Sequence, residues 1–182
     1  MGKKLNRLLI ISTTLLSIGC TIDYNEDLES TIKSESIPDS IMRNFKLVKI
    51  KNNSPYTEVE SSLTEIYNNQ NRTVLHNVIF TEYDTNSKSI TTTGKADNIE
   101  YYHDTEDAKL KGNLKFVSKK EEVEMTGEDL YWNKNDKKIS SSTETSIEVI
   151  KEDGSRMKGY GFSANLERST FSFEKGITGR TE

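Results

Sequence analysis

One cysteine, two prolines, two histidines and a single tryptophan are spread over 182 residues, and each scarcity removes a class of protein. With Cys20 alone there is no internal disulfide and no thiolate metal cluster. A zinc site needs three or four ligands; His76 and His103 have neither a His-x-x-x-His partner nor a cysteine pair, and both read as surface side chains, one on a strand and one in a turn. No P-loop, Gly-x-Ser-x-Gly element or Ser/His/Asp set is present. Carboxylate pairs such as Glu121 and Glu122 lack an apolar surround that would split their pKa values. The acidic turns Asn25–Glu26–Asp27 and Asp104–Thr105–Glu106–Asp107 lack the twelve-residue calcium loop and read as solvated turns. The expectation is a non-enzyme with no catalytic residue, cofactor or metal. An excess of base is missing too: the net charge is −4. Removing Met1 to Gly19 would take three bases, leaving 22 against 29 acidic residues, a net of −7. That balance argues against a nucleic-acid partner.

What the chain does have is period-two alternation. Ile90, Thr92 and Gly94 alternate, Ile99 and Tyr101 follow, and after the turn HDTED the residues Leu110, Gly112, Leu114 and Phe116 share one parity. Such spacing marks half-buried strands. Val123, Met125 and Gly127 lead in the same way into Leu130 and Trp132, then past NKNDKK to Ile147 and Val149. Met157, Gly159 and Gly161 lead into Leu166 and on to Phe171, Phe173 and Ile177. The marker glycines Gly94, Gly127 and Gly161 stand 33 and 34 residues apart. Val59 and Leu63, the turn NNQN, then Val78 and Phe80 give a weaker copy, with Ser61 or Ser62 in the glycine's place. The expectation is an all-β array of antiparallel strand pairs, in which glycine on a strand face leaves room or permits a bend.

The first twenty residues differ from the rest. Lys3, Lys4 and Arg7 precede an apolar run from Leu8 to Ile18 that ends at Cys20, shorter than the roughly 20 residues that cross a bilayer as a helix. This is the order of a lipoprotein signal, with Cys20 the lipidated residue, or of a short uncleaved anchor. Residues 21–40 are acidic and aperiodic, a flexible tether. From Ile41 strand patterning resumes, with Phe45 and Leu47 on one parity, and runs without a linker to Glu182. The reading is therefore an anchor over 1–20, a tether over 21–40 and one β domain over 41–182.

Several elements of that domain resemble the LptC family of lipopolysaccharide-export proteins and its OstA/LptA-like relatives. They are P-x-x-x-M-x-x-F from Pro38 to Phe45, Tyr83–Asp84, G-K-A-D at Gly94 to Asp97, L-x-G-N-L at Leu110 to Leu114, and G-x-x-A-x-L at Gly161 to Leu166. The resemblance covers about Ile37 to Arg180. It implies an open, V-shaped β-jellyroll preceded by an N-terminal anchor, in the periplasm, held at the inner membrane or alternatively at the outer one. It also implies a carrier that receives lipopolysaccharide or an analogous glycolipid from an ABC transporter with LptF/LptG-type subunits and passes it to an LptA-like bridge. Under it, Leu110, Leu114, Phe116, Val123, Met125, Leu130, Trp132, Ile147 and Val149 line an apolar trough. In an ordinary sandwich the same residues would fill the core. A charge at Leu114 is expected to impair transport more than folding.

The final stretch, Thr170 to Gly179, keeps apolar parity and has no proline, so its free strand edge is expected to dock the bridge through Phe171, Phe173 and Ile177, with Phe45 and Leu47 on the opposite edge facing the transporter. The alternative is a surface-exposed β-rich lipoprotein that binds proteins and carries no lipid.

Overall fold

The structure is a computed structural model that describes residues 37–168 and 170–181. Cys20, the anchor over 1–20 and the tether as far as Ser36 lie outside the described residues. Six long strands come first: β1 (Ser40–Lys51), β2 (Ser54–Tyr67), β3 (Arg72–Tyr83), β4 (Ile90–Tyr102), β5 (Asp107–Ser118) and β6 (Val123–Asn133). Each pairs antiparallel with the one before it. Six shorter strands follow: β7 (Lys138–Ser140), β8 (Ser146–Lys151), β9 (Arg156–Tyr160), β10 (Ser163–Asn165), β11 (Thr170–Ser172) and β12 (Lys175–Arg180). They divide at β6. Its first residues, Val123 to Thr126, pair with β8, which leads to β9 and β12, while its last, Tyr131 to Asn133, pair with β7, which leads to β10 and β11. The described residues thus form one unclosed antiparallel sheet with β1 at one end.

A line of polar residues crosses this sheet. Asn44 in β1, Asn77 in β3 and Asn113 in β5 all have left-handed backbone, with φ of 52°, 50° and 47°, and Gly112 beside Asn113 has φ of 78°. That conformation costs an ordinary L-residue about 1–2 kcal/mol, and asparagine is among the few that adopt it readily. The pairing register sets these residues against Ser62 in β2, Asp97 in β4 and Glu128 in β6. Side chains bridge the line: Asn77 Nδ2 donates to Ser62 Oγ at 2.9 Å and Asn113 Nδ2 to Asp97 Oδ2 at 2.7 Å.

The consequence is a change of parity. Inward residues on either side are three apart rather than two or four: Met42 and Phe45, Thr64 and Ser61, Leu75 and Val78, Ile99 and Ala96, Leu130 and Gly127. In β5, where the line is a two-residue bulge, they are Leu110 and Leu114, four apart. Both flanks pack on one cluster of Ala96, Leu114, Leu130, Ile147, Val149 and Phe162. The sheet therefore folds over along the asparagine line and keeps its apolar side inside. This is the geometry of an open jellyroll.

The glycine repeat does not describe equivalent positions. Gly94 pairs with Phe116 and Gly127 with Leu114, two residues apart along the strand, and Gly161 lies in a bend outside the strands with φ of 62°. In the row of Gly127 the small residue of β2 is Ser61, buried with its Oγ 2.6 Å from Thr64 Oγ1. Nor do these glycines leave open room. The Phe80 and Phe116 rings, 5.4 Å apart, close over Gly94, Ile147 lies over Gly127, and Phe173 lies over Gly159. A missing Cβ here admits a neighbour's large side chain.

The acidic turn before β5 has a structural task. Asp107 is buried, accepting the Lys134 N–H at 2.9 Å and the Tyr131 hydroxyl at 2.7 Å, and so ties the β4–β5 turn to the turn after β6. Those two donors, the backbone N–H first, hold its carboxyl below the usual carboxylate range. A carboxyl depressed on folding contributes stability above its unfolded pKa, about 3.9, and loses that contribution as pH falls through the folded value. Asp107→Asn is expected to flatten the loss of stability below about pH 4. Urea midpoints followed by Trp132 fluorescence at pH 7, 4 and 2.5 measure it, and parallel curves for the two proteins would contradict it.

Candidate functional site

The inner face is built by cross-strand pairs. Leu110 faces Leu130, Phe116 faces Met125, which faces Val149, and Ala108 faces Trp132, which faces Ile139. Pairs of this kind bring Cβ atoms to about 5 Å, so the apolar surface continues from strand to strand. Of the nine residues read as trough lining, Leu114, Leu130, Ile147 and Val149 are at most 4% exposed and belong to the packed core. Leu110, Phe116, Val123 and Met125 are half-buried against that core, and Trp132 is half-buried next to the row of Leu110 and Leu130, across the asparagine line from Phe116, Val123 and Met125. The face thus has a solid floor and a partly open surface. Phe162 and Ala96 complete the floor without having been legible in the sequence. Phe162 stands in an irregular segment after Gly161 where no alternation marks it, and Ala96 is a small residue between two polar ones.

The free edges lie at the ends of the sheet. On β1, Phe45 is half-buried and Leu47 is 39% exposed, both on the inner side. Lys46 points the other way and is clasped by Glu58 and Glu60, which hold its ammonium above its usual range and bind β1 to β2. At the other end the single edge expected from Thr170 to Gly179 is split. Phe171 is in β11, and Phe173 lies between strands with its ring 5.4 Å from Phe162, half-buried in the core. Only Ile177, 61% exposed, sits in β12, which pairs with β9 alone. Phe171 and Phe173 do not share one strand, because the chain leaves the β10–β11 branch for the β9–β12 branch through Phe173 and Glu174.

The two histidines have local partners. His76, half-buried on the outer side of the asparagine line, has Nδ1 2.6 Å from Asn98 Oδ1 and Nε2 3.0 Å from Glu65 Oε2. His103, exposed in its turn, has Nε2 2.8 Å from Thr73 Oγ1.

A family model described as lipopolysaccharide-assembly, LptC-related, matches residues 7–182. The chain belongs to this LptC-related family. Among solved structures it is similar to LptH of Pseudomonas aeruginosa, described as the LptA-homologous periplasmic component of the lipopolysaccharide transport device. The identity is 12%, the TM-score 0.56, and the match covers 69% of this chain and 94% of that one, a likeness of fold. No curated protein is similar enough in sequence to count as a relative.

Three of the five motifs behind the resemblance to the LptC-related family lie on the fold-over line. M-x-x-F brackets Asn44 and L-x-G-N-L contains the Gly112–Asn113 bulge. G-K-A-D supplies Gly94 beneath two phenylalanine rings, Ala96 in the core and Asp97 as the acceptor for Asn113. Tyr83–Asp84 makes a turn in which Asp84 Oδ1 accepts the N–H groups of Asn86 and Ser87. These are residues that bend the sheet and shape its turns. Among the described residues no helix is long and apolar enough to cross a membrane.

Proposed function

We propose that this LptC-related protein is a periplasmic, membrane-tethered carrier that receives lipopolysaccharide or a similar glycolipid from an ABC transporter with LptF/LptG-type subunits. It passes the lipid to an LptA-like bridge. The observation that supports the reading is the inner face, where an apolar cluster runs from Ala96 in β4 through β5 and β6 into both branches of an unclosed sheet. Each CH₂ taken out of water contributes about 0.8 kcal/mol, so partial cover of one acyl chain is worth several kcal/mol. Energy for extraction comes from the transporter, and the carrier supplies continuity. Free edges at β1 and β12 supply the main-chain donors and acceptors through which partners of the same architecture extend the face. The lipidated Cys20 or an uncleaved anchor holds the domain at the inner membrane.

A photoreactive phenylalanine analogue tests it. At the half-buried positions Phe116 and Trp132 it is expected to crosslink glycolipid in cells, and at Lys115, whose side chain points outward, it is not. At Ile177 it is expected to crosslink the bridge and at Leu47 the transporter. Equal lipid crosslinking at Phe116 and Lys115 sinks the carrier reading; lipid crosslinking without protein crosslinking at either edge removes the docking scheme alone.

A further inference from the structure

On the inner face a small residue sits between two large rings at Gly94 and again at Ala108, with different results. At Gly94 the neighbours are Phe80 and Phe116, whose rings close over it with centroids 5.4 Å apart. At Ala108 the neighbours are Tyr101 in β4 and Trp132 in β6. Those two rings do not meet among the described residues, and Ala108 between them is only half-buried. The Ala108 methyl stands where glycine has none, and Tyr101 is fixed by His103. The His103 ring meets Tyr101 at 88° with centroids 5.2 Å apart, while its Nε2 lies 2.8 Å from Thr73 Oγ1 of β3. Neighbouring strands are about 4.8 Å apart, which sets Tyr101 and Trp132 roughly 10 Å from one another. A flat ring held between two aromatic faces needs about 7–8 Å, two contact distances. The gap over Ala108 is a slot one ring wide.

The rim of the slot is polar. Glu106 in the turn after β4 and Lys134 in the turn after β6 are ion-paired there, so their charges cancel. Both act on the Tyr101 hydroxyl, which burial and the Glu106 carboxylate hold above its usual range, and which is therefore a donor at neutral pH. Below the slot, Leu110 carries the apolar face up to Ala108.

We infer that this slot binds a hexopyranose ring, stacked between Tyr101 and Trp132 over Ala108, with the Tyr101 hydroxyl and the Glu106–Lys134 pair meeting its hydroxyls. A pyranose has C–H groups on its faces and hydroxyls around its edge, the same distribution of apolar and polar groups as the slot. The inference rests on the carrier reading. A glycolipid whose acyl chains lie on Leu110 and its neighbours must bring its sugar off the apolar face at a place that is apolar below and wet above. The sugar of such a lipid is one source of the ring; a free oligosaccharide is the other.

Trp132 is the single tryptophan of the chain, so its emission reports the slot directly. The test uses the full chain in polyoxyethylene detergent, which carries no sugar. Diacetylchitobiose is expected to shift the emission saturably, and sorbitol, with hydroxyls but no ring, is not. Tyr101→Leu keeps apolar bulk but removes an aromatic face, and Ala108→Ile fills the slot; each is expected to weaken the disaccharide about tenfold. If the source is the glycolipid, a glycosylated diacylglycerol also binds about tenfold more tightly than the same diacylglycerol without sugar, and Tyr101→Leu removes that gap while leaving affinity for the sugar-free lipid unchanged. If the source is a free oligosaccharide, the saturable shift appears without the gap. The inference is overturned if the disaccharide produces no saturable shift in the wild type. It is equally overturned if either variant, folded by circular dichroism, binds the disaccharide as the wild type does. Failure of the wild type to bind either lipid would refute the carrier reading instead, with the disaccharide titration still deciding the slot.

Discussion

Leu114→Asp is expected to abolish the cooperative fold of the β domain. Leu114 is 2% exposed and lies in one cluster with Ala96, Leu130 and Ile147, so the carboxylate would have no water and no cation partner there. A carboxyl there either stays protonated or opens the core to water, and either way it costs several kcal/mol, a large share of the roughly 5–15 kcal/mol that holds a domain of this size together. Even Leu114→Ala is expected to cost about 2–5 kcal/mol through the cavity it leaves. The neighbouring change Lys115→Asp, on the outer side, removes an exposed pair with Glu124 and costs about 1 kcal/mol or less. Circular dichroism and urea melts of the three variants measure the contrast. A folded Leu114→Asp protein with a near-normal midpoint would mean that the floor is open to water. The expectation that a charge at this position impairs transport more than folding belongs instead to half-buried Phe116 or Met125, where a polar group can turn outward.

The second large effect concerns Gly127. A Cβ at this position would overlap the Cδ1 of Ile147, which has no exposed surface at all. Neither side yields freely, because Ile147 is enclosed by the core and the Gly127 backbone is paired with Leu114 of β5. Gly127→Ala is therefore expected to cost about 1–3 kcal/mol by overpacking. Ile147→Val deletes the colliding methyl and is expected to cost about 0.5–1.5 kcal/mol alone. The double variant should be more stable than the sum of the two losses, with a coupling of at least about 0.5 kcal/mol. Chemical denaturation of the four proteins gives the cycle. Strict additivity would show that the contact does not limit the packing. The same reasoning extends to Gly94, where the Phe80 and Phe116 rings occupy the space a side chain would need.

Both effects bear on the carrier reading. Four of the nine residues expected to line the trough are its floor, so the lipid-facing set is narrower than alternation alone implies. Leu110, Phe116, Val123, Met125 and Trp132 remain accessible, and they lie on both sides of the asparagine line, so a chain lying on this face would follow the bend.

By itself the sequence determined the all-β class, the approximate strand limits from β1 to β6, and the inward identity of Leu114, Phe116, Met125, Leu130, Trp132, Ile147 and Val149. Alternation is a local property: a strand with one wet face needs it, whatever lies beyond. The change of parity from even to odd between Gly94 and Ile99, and from odd to even between Gly127 and Leu130, was also visible. Its meaning was not. A three-residue step between apolar positions reads as broken pattern until a left-handed asparagine on the neighbouring strand is known to stand opposite it, and that pairing is set by register over distant segments. Only the tertiary structure decided that the shifts form one line across six strands and fold the sheet over. It also decided that glycines are filled by side chains from neighbouring strands, that the last phenylalanines are divided between two sheet branches, and that Ala108 lies between Tyr101 and Trp132. Each of these is a contact between residues far apart in the chain, fixed by which face has to be shielded from water once the strands are paired.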